Sequence, residues 1–400
     1  MNYKTEFPFL NKGIVYFDNG ATTLKPKRVI DKMNDYYLEY PSNAHRGDYY
    51  ISLKSSEEFE KTREIVRKFI NAKSRKEIIF TSGSTESLSQ IIYGYFRNKL
   101  KTGDEVLVTK SEHASNILPW FDLEKKLGIK VVFIPLNEDY TFNIDNMINS
   151  ITEKTKVISI AEITNVIGDI RDIKKITSIC HNKDIKVVVD ASQSAGHIKI
   201  DVQDSDVDFL ALSAHKMLGP NGVGVLYGKE EFLEEIDPIK KGGGMTISFD
   251  DADNIVYKEL PYKLEAGTQN IAGVIGFMEA INYINEIGID NIHNYTCELK
   301  KYLVSKLRKL DNIILYNDSI KGSTLAFNVK NVFAQDTAIY LDKYNICVRS
   351  GDHCDKKLSD ELKIKNTVRV SLYFYNTKED VDKLVNALNN DKILEESLGV

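Results

Sequence analysis

Short apolar runs punctuate the first two-thirds of the chain, and between them apolar positions recur at helical spacing. The runs Glu77–Thr81, Glu105–Val108, Lys130–Ile134, Val157–Ile160, Val187–Asp190, Phe209–Leu212 and Gly224–Tyr227 read as strands. Helices are expected at Glu86–Lys99, Leu118–Leu127 and Ile170–Asn182; in the last, Ile173, Ile176, Ile179 and Cys180 recur at helical spacing. Strand–helix alternation of this kind predicts a mainly parallel sheet with helices on both faces. Upstream, Ser55–Glu58 reads as a capping box opening a helix whose inner face holds Phe59, Val66, Phe69 and Ile70. After Gly288 the pattern changes. A long amphipathic helix, Ile289–Leu310, is followed by strand-like Ser323–Val329, Asn345–Arg349 and Thr367–Leu372, and a final helix begins near Thr377. The expected fold class is α/β, with a large domain over 19–288 carrying a mainly parallel seven-stranded sheet. Residues 1–18 and 289–400 are expected to form a smaller α+β domain.

Composition narrows the function classes. The 400 residues are enough for two domains, and 42% apolar with 28% charged residues is ordinary for a chain that buries a sizeable core. A net charge of −5 and no basic run argue against a nucleic-acid partner. No stretch approaches the roughly 20 apolar residues that span a bilayer, so no membrane partner is expected. Met1–Asn19 lacks the apolar core of a signal peptide. Four cysteines, Cys180, Cys297, Cys347 and Cys354, are too few for a disulfide framework, which points to a reducing, cytoplasmic setting.

In open α/β sheets, ligands bind at the carboxyl ends of strands, so the polar residues following each strand carry the candidate chemistry. They are Thr81-Ser82-Gly83-Ser84-Thr85-Glu86, Ser111-Glu112-His113, Thr164-Asn165, Asp190-Ala191-Ser192-Gln193 and Ser213-Ala214-His215-Lys216, the last followed by Gly219-Pro220-Asn221-Gly222. Singly, each has a plain structural explanation: a strand-to-helix turn, a hydrogen-bonded histidine, a turn-capping aspartate, a solvated lysine. Together they supply what pyridoxal 5′-phosphate (PLP) requires. A small-residue helix start holds a phosphate. An acid keeps the pyridine nitrogen protonated, a flat side chain stacks on the ring, and Lys216 binds the aldehyde through its amine.

These residues resemble the fold-type I PLP enzymes, and within them the class V aminotransferase-like group. The resemblance runs from Tyr16-Phe17-Asp18-Asn19-Gly20-Ala21-Thr22-Thr23 to Arg369-Val370-Ser371-Leu372-Tyr373-Phe374-Tyr375-Asn376-Thr377, through His45-Arg46-Gly47 and Glu265-Ala266-Gly267-Thr268-Gln269-Asn270. The segment Val348-Arg349-Ser350-Gly351-Asp352-His353-Cys354 is similar to the catalytic-cysteine loop of SufS-type (type II) cysteine desulfurases and selenocysteine lyases. The resemblance implies that Lys216 carries the cofactor and moves the Cα proton, with Asp190 at the pyridine nitrogen and Gln193 at the phenolic oxygen. His113 would stack on the ring and relay protons. Ser84, Thr85, Ser213 and His215 would hold the phosphate, joined by Thr268 from the other subunit of a homodimer. Asn165 and Arg369 would bind the substrate carboxylate, with Arg349 beside the nucleophile loop. Cys354 would take sulfur from L-cysteine as a persulfide, leaving L-alanine, and an acceptor protein would receive it, most naturally for iron–sulfur cluster assembly.

The thiolate is the competent nucleophile and needs cationic or hydrogen-bonding neighbours, for which Arg349 and His353 are candidates. Cys347 and Cys354 with His353 lack a second Cys/His cluster, so no metal site is expected. Three departures stand out. The usual Gly-His-His-Cys-Ala-x-Pro is Gly351-Asp352-His353-Cys354-Asp355-Lys356-Lys357, the usual Pro is Gln269, and the usual Asn-Ala-Ala is Asn19-Gly20-Ala21. Asp352 sets a negative charge beside the nucleophile, which disfavours a thiolate. Selenocysteine lyase, a PLP epimerase or aminotransferase that uses no thiol, and a docking protein without turnover remain open at this point.

Overall fold

The computed structural model describes residues 3–249, 255–316, 318–319, 321–390 and 392–398. Near the N-terminus, strand β1 (Val15–Tyr16) pairs in parallel with Ile346–Cys347, so the start of the chain is tied to its last third. Helices α1 (Lys27–Glu39) and α2 (Tyr50–Phe69) follow. The capping box expected at Ser55 is not there. Ser55 lies inside α2 and its hydroxyl donates to the carbonyls of Tyr40 (2.9 Å) and Ile51 (3.0 Å). Inside α2 the amides ahead of Ser55 are already held by carbonyls four residues back, so its hydroxyl has none left to cap. The expected inner face is otherwise correct, with Phe59, Val66 and Ile70 buried and Phe69 half-buried.

The main sheet has seven strands: β2 (Ile78–Thr81), β3 (Glu105–Thr109), β4 (Lys130–Ile134), β5 (Thr155–Ala161), β6 (Lys186–Asp190), β7 (Phe209–Ser213) and β8 (Gly224–Gly228). Their order is β2-β8-β7-β6-β5-β3-β4. All neighbours are parallel except at β8, which runs antiparallel to β2 and β7. The short 214–223 link explains this, because a parallel return needs a crossover of about a dozen residues or more. Alternate residues of each strand feed different cores. Val187 and Val189 pack with Leu210, Leu212 and the helix Ile271–Ile287 on one face. Val188, Phe209 and Ala211 pack with α3 (Ser84–Gly94) and α4 (Ala114–Leu127) on the other. Both faces are therefore covered, and the strands read as mainly apolar runs.

A two-stranded hairpin, β9 (Thr246–Phe249) with β10 (Ile255–Tyr257), precedes the last third. There β11 (Ile313–Tyr316), β12 (Thr324–Val329), β14 (Arg349–Gly351) and β15 (Thr367–Ser371) form an antiparallel sheet in the order β11-β12-β15-β14. The single strand expected at Asn345–Arg349 is two. β13 (Ile346–Cys347) pairs with β1, and β14 pairs with β15. This sheet has its own core, including Phe17, Leu325, Phe327, Val368, Val370 and Leu384. The helix expected near Thr377 opens there with a reciprocal cap between Thr377 and Asp380, but it is not the last: a short helix, Ile393–Leu398, follows it. Among the described residues no helix is long and apolar enough to cross a membrane.

Candidate active site

The carboxyl ends of the parallel strands and the β14–β15 edge enclose a cavity of about 480 Å³. Ser84, Thr85, His113, Asn165, Gln193, Ser213, His215, Lys216, Arg349, Cys354 and Arg369 all line it. Asp190 sits just behind this wall, 5% exposed, and its charge acts on both Lys216 and His113. Thr268 is the one expected site residue placed elsewhere. Its hydroxyl accepts from Asn43 at 3.3 Å, beside a separate cleft of about 700 Å³ lined by Arg46, Gly267 and Gln269.

The local folding reasons are specific. At the β2–α3 turn, the Ser84 amide donates to Ser213 Oγ (2.8 Å), which bonds Ser84 Oγ (2.9 Å). A Cβ on Gly224 would come within 2.4 Å of Gly83 Cα, so β8 must carry glycine there for the turn to sit close. The first turn of α3 thus brings the Ser84 and Thr85 hydroxyls and the amides that follow Ser84 to the cavity wall, an anion site. At the β3–α4 turn, Glu112 and Arg171 form a fully buried ion pair, and Glu112 also accepts from Asn116 (2.9 Å) and the Ala161 amide (2.6 Å). That network holds the turn that presents His113. His113 caps α4 by accepting the Ser115 amide on Nδ1 (3.2 Å), which leaves Nε2 as the protonated nitrogen. Burial, with Lys216 next, lowers its pKa.

Asp190 Oδ1 accepts from both the amide (2.9 Å) and the hydroxyl of Ser192. Gln193 donates to the Gly20 carbonyl at 2.8 Å. Burial pushes the Lys216 amine down to about 8 and the His215 ring down to about 4. Lys25, with no role expected from the sequence, donates to the His215 carbonyl (3.0 Å), and burial brings it to about 7.

Arg349 and Arg369 face each other across β14 and β15. Arg369 is 2% exposed; Nη1 donates to the Asn165 carbonyl (3.0 Å), Nη2 to Asp18 (3.1 Å), and Nε is buried without a partner among the described residues. Asn165 Oδ1 is likewise buried and unpartnered, while its Nδ2 donates to the His353 carbonyl (2.8 Å). Cys354 is the exposed cysteine of the chain; Cys180 is buried, and Cys297 and Cys347 are half-buried. Cys354 and His353 both adopt left-handed backbone, with φ 60° and 56°. The Cys354 amide donates to Asp352 Oδ1 (3.0 Å) and its carbonyl accepts the Ala114 amide (2.9 Å). His353 turns away from a thiolate-assisting role. Its Nε2 meets the carbonyl (3.1 Å) and hydroxyl (2.9 Å) of Thr367, and burial holds its pKa down to about 3, so it carries no charge near neutrality. Of the two candidates, Arg349 is the one that brings a charge to the cavity of Cys354, and the Cys354 thiolate also acts electrostatically on Lys216 and Arg369.

An anion-ready helix start, a buried acid, an amine that burial favours in its neutral form, and unpartnered Arg369 Nε and Asn165 Oδ1 fit a phosphorylated aldehyde cofactor beside an amino-acid carboxylate.

The chain belongs to the aminotransferase class-V family, whose model matches residues 15–384. A protein named "Probable cysteine desulfurase" from Halalkalibacterium halodurans is 41% identical over 394 residues, 97% of each chain. One of the same name from Synechocystis sp. is 39% identical over 394 residues, 96% of this chain and 94% of that protein. Among solved structures, the apo cysteine desulfurase from Thermococcus onnurineus superposes with a TM-score of 0.93 at 35% identity, over 99% of this chain and 98% of that one. The Escherichia coli cysteine desulfurase CsdA, in an S-sulfonic acid form, gives 0.91 at 35% identity over 98% of each.

Proposed function

We propose that this class-V family member is a PLP-dependent cysteine desulfurase that converts L-cysteine to L-alanine and leaves a persulfide on Cys354. The observation that carries this reading is that Cys354, the exposed cysteine, lines one cavity together with Lys216, Asn165 and Arg369. Bound at Lys216, the cofactor supplies an electron-accepting ring that weakens the substrate's Cα–H and Cβ–S bonds. Every other task falls to the chain. Ser84, Thr85, Ser213 and His215 hold the phosphate, Asp190 holds the ring nitrogen, Gln193 the phenolic oxygen, and His113 covers the ring face. Arg369 and Asn165 bind the α-carboxylate, which orients the sulfur toward Cys354. The Lys216 amine takes the Cα proton and returns protons on the way to alanine. The Cys354 thiolate attacks the substrate sulfur: a Cys354 S–S bond forms as the substrate's C–S bond breaks, and the bonding pair leaves with the alanine carbon.

Thr268 supports a homodimer on this reading, since a phosphate contact from that residue requires a partner's copy. The exposure of Cys354 suits delivery of its sulfur to an acceptor protein, and iron–sulfur cluster assembly is the use that the resemblance favours. Residues 19–288 then form the cofactor-binding domain, and 1–18 with 289–400 the domain carrying the nucleophile. The test is turnover of L-cysteine with a thiol reductant, quantifying sulfide and alanine. Wild type should make both in equal amounts, and Cys354→Ala should keep the cofactor absorbance and make neither. Turnover by Cys354→Ala at the wild-type rate would remove the thiol from the mechanism. The same assay with L-selenocysteine measures the selenocysteine lyase alternative.

A further inference from the structure

Asp18 has no part in the chemistry above, yet it is one of two protein groups that hold the guanidinium of Arg369. Nη2 donates to Asp18 Oδ1 at 3.1 Å, Nη1 donates to the Asn165 carbonyl at 3.0 Å, and Nε is left buried without a partner among the described residues. Asp18 is itself fixed to the strand that carries Arg369. It bridges in parallel to Ser371, whose amide donates to the Phe17 carbonyl (2.7 Å), and Ser371 Oγ accepts the Gly20 amide (2.7 Å). The guanidinium lies against the backbone of this same segment, since a Cβ on Gly20 would come within 3.2 Å of Arg369 Cζ and Nη2. Residues 18–20 therefore grip Arg369 by one acceptor and one wall.

We propose that Asp18 is a positioning residue that fixes the plane of the Arg369 guanidinium, so that its unpartnered edge meets the substrate's α-carboxylate. The proposal rests on the reading of Arg369 as the carboxylate-binding residue. A guanidinium presents its N–H groups in a rigid planar fork, and a carboxylate takes two of them only if that plane is correctly turned. Two of the donors are anchored here, and the anchors are at different nitrogens, so the plane cannot rotate without breaking one. Burial of the Asp18 carboxyl raises its pKa, and the Arg369 charge beside it acts in the opposite direction. Asparagine keeps an acceptor at the same place and removes the negative charge that opposes an incoming carboxylate. Alanine removes both.

The experiment compares wild type, Asp18→Asn and Asp18→Ala as holoproteins. It measures kcat and KM for L-cysteine, equilibrium binding of L-alanine, and equilibrium binding of cysteamine, which lacks the carboxylate. In Asp18→Ala the KM for cysteine and the Kd for alanine should rise about tenfold, the loss expected for an ill-aimed charged hydrogen bond, with kcat changed less than about threefold. Asp18→Asn should recover most of the loss, and cysteamine binding should be the same in all three proteins. A fall in kcat at unchanged KM overturns the proposal, as does an Asn variant as impaired as Ala, or equal losses for cysteamine and alanine. Wild type that binds alanine but makes no sulfide would instead sink the desulfurase reading, while the alanine and cysteamine comparison still decides the role of Asp18.

Discussion

The cofactor pocket and the nucleophile loop meet in one cavity but are built in opposite ways. The pocket is made of strand ends whose polar groups satisfy one another: Ser84 with Ser213, Asp190 with Ser192, Glu112 with Arg171. Its backbone follows from an apolar sheet buried on both faces. The loop has two consecutive non-glycine residues in left-handed backbone, His353 and Cys354, each costing on the order of 1 kcal/mol. It is held by bonds borrowed from the pocket, the Ala114 amide on the Cys354 carbonyl and Asn165 Nδ2 on the His353 carbonyl. The loop therefore takes its place from the pocket, while among the described residues no side chain assigned to the cofactor takes a hydrogen bond from the loop. Loss of the loop should stop sulfur transfer and leave cofactor binding intact, whereas damage to the pocket should stop both.

The largest effect separates them directly. Lys216→Ala should lower cysteine turnover by roughly 10³-fold or more, since it removes the proton-transfer group as well as the covalent anchor. It should also alter the cofactor's absorption spectrum. Cys354→Ser should lower sulfide release as far with no change in the spectrum. A spectral change in Cys354→Ser would mean that the pocket leans on the loop.

Asn165 joins the two regions, so Asn165→Ala should cost about 10- to 100-fold in kcat/KM, through a loosened loop and a lost carboxylate contact. Faster proteolysis within 349–356 should accompany it, and an unchanged proteolysis rate would show that the loop is held by other means. The pocket alone predicts a pH profile. In cofactor-free protein the Lys216 amine is protonated below about 8 and neutral above it. Because the neutral amine is the nucleophile, cofactor uptake should rise about tenfold per pH unit up to about 8 and then level off. The native pKa lies below the unfolded value of about 10.4, so between these pH values the unfolded chain holds more protons and stability should rise with pH. A flat uptake profile from pH 6 to 9 would contradict this. The smallest effect belongs to the loop. Asp352→Asn keeps an acceptor for the Cys354 amide and removes a nearby negative charge, so alkylation of Cys354 should quicken by about two- to threefold, with no change in cofactor uptake.

The same division governs what the sequence reveals. All seven strands of the main sheet are visible as mainly apolar runs, because burial on both faces leaves few polar positions; the edge strand β4 is only half-buried, and Ser159 interrupts β5. The helix Ile271–Ile287 has no such signature: Ile271 through Met278 are all buried, so no amphipathic period exists to read. The pocket residues follow strand ends and can be found from that rule. The Glu112–Arg171 pair joins positions 59 apart with no pattern connecting them. Nothing local marks the grip of Asp18 on Arg369, which depends on the first and last parts of the chain meeting at β15. The neutral, turned-away His353 was also out of reach, since its side chain direction follows from the left-handed backbone and not from the spacing of residues. Thr268 does not line the cavity in this chain, and its place in the site rests on the proposed homodimer.

The account turns on Cys354 receiving sulfur at a site where Lys216 prepares it. The most direct test is to mix the holoprotein with L-cysteine in the absence of reductant, stop the reaction after one turnover, and map the cysteine-containing peptides by mass spectrometry. One additional sulfur atom on the Cys354 peptide, in amount equal to the alanine released and absent in Lys216→Ala, is the predicted result. Alanine release with the added sulfur on Cys180, Cys297 or Cys347, or with none on the protein, would contradict it.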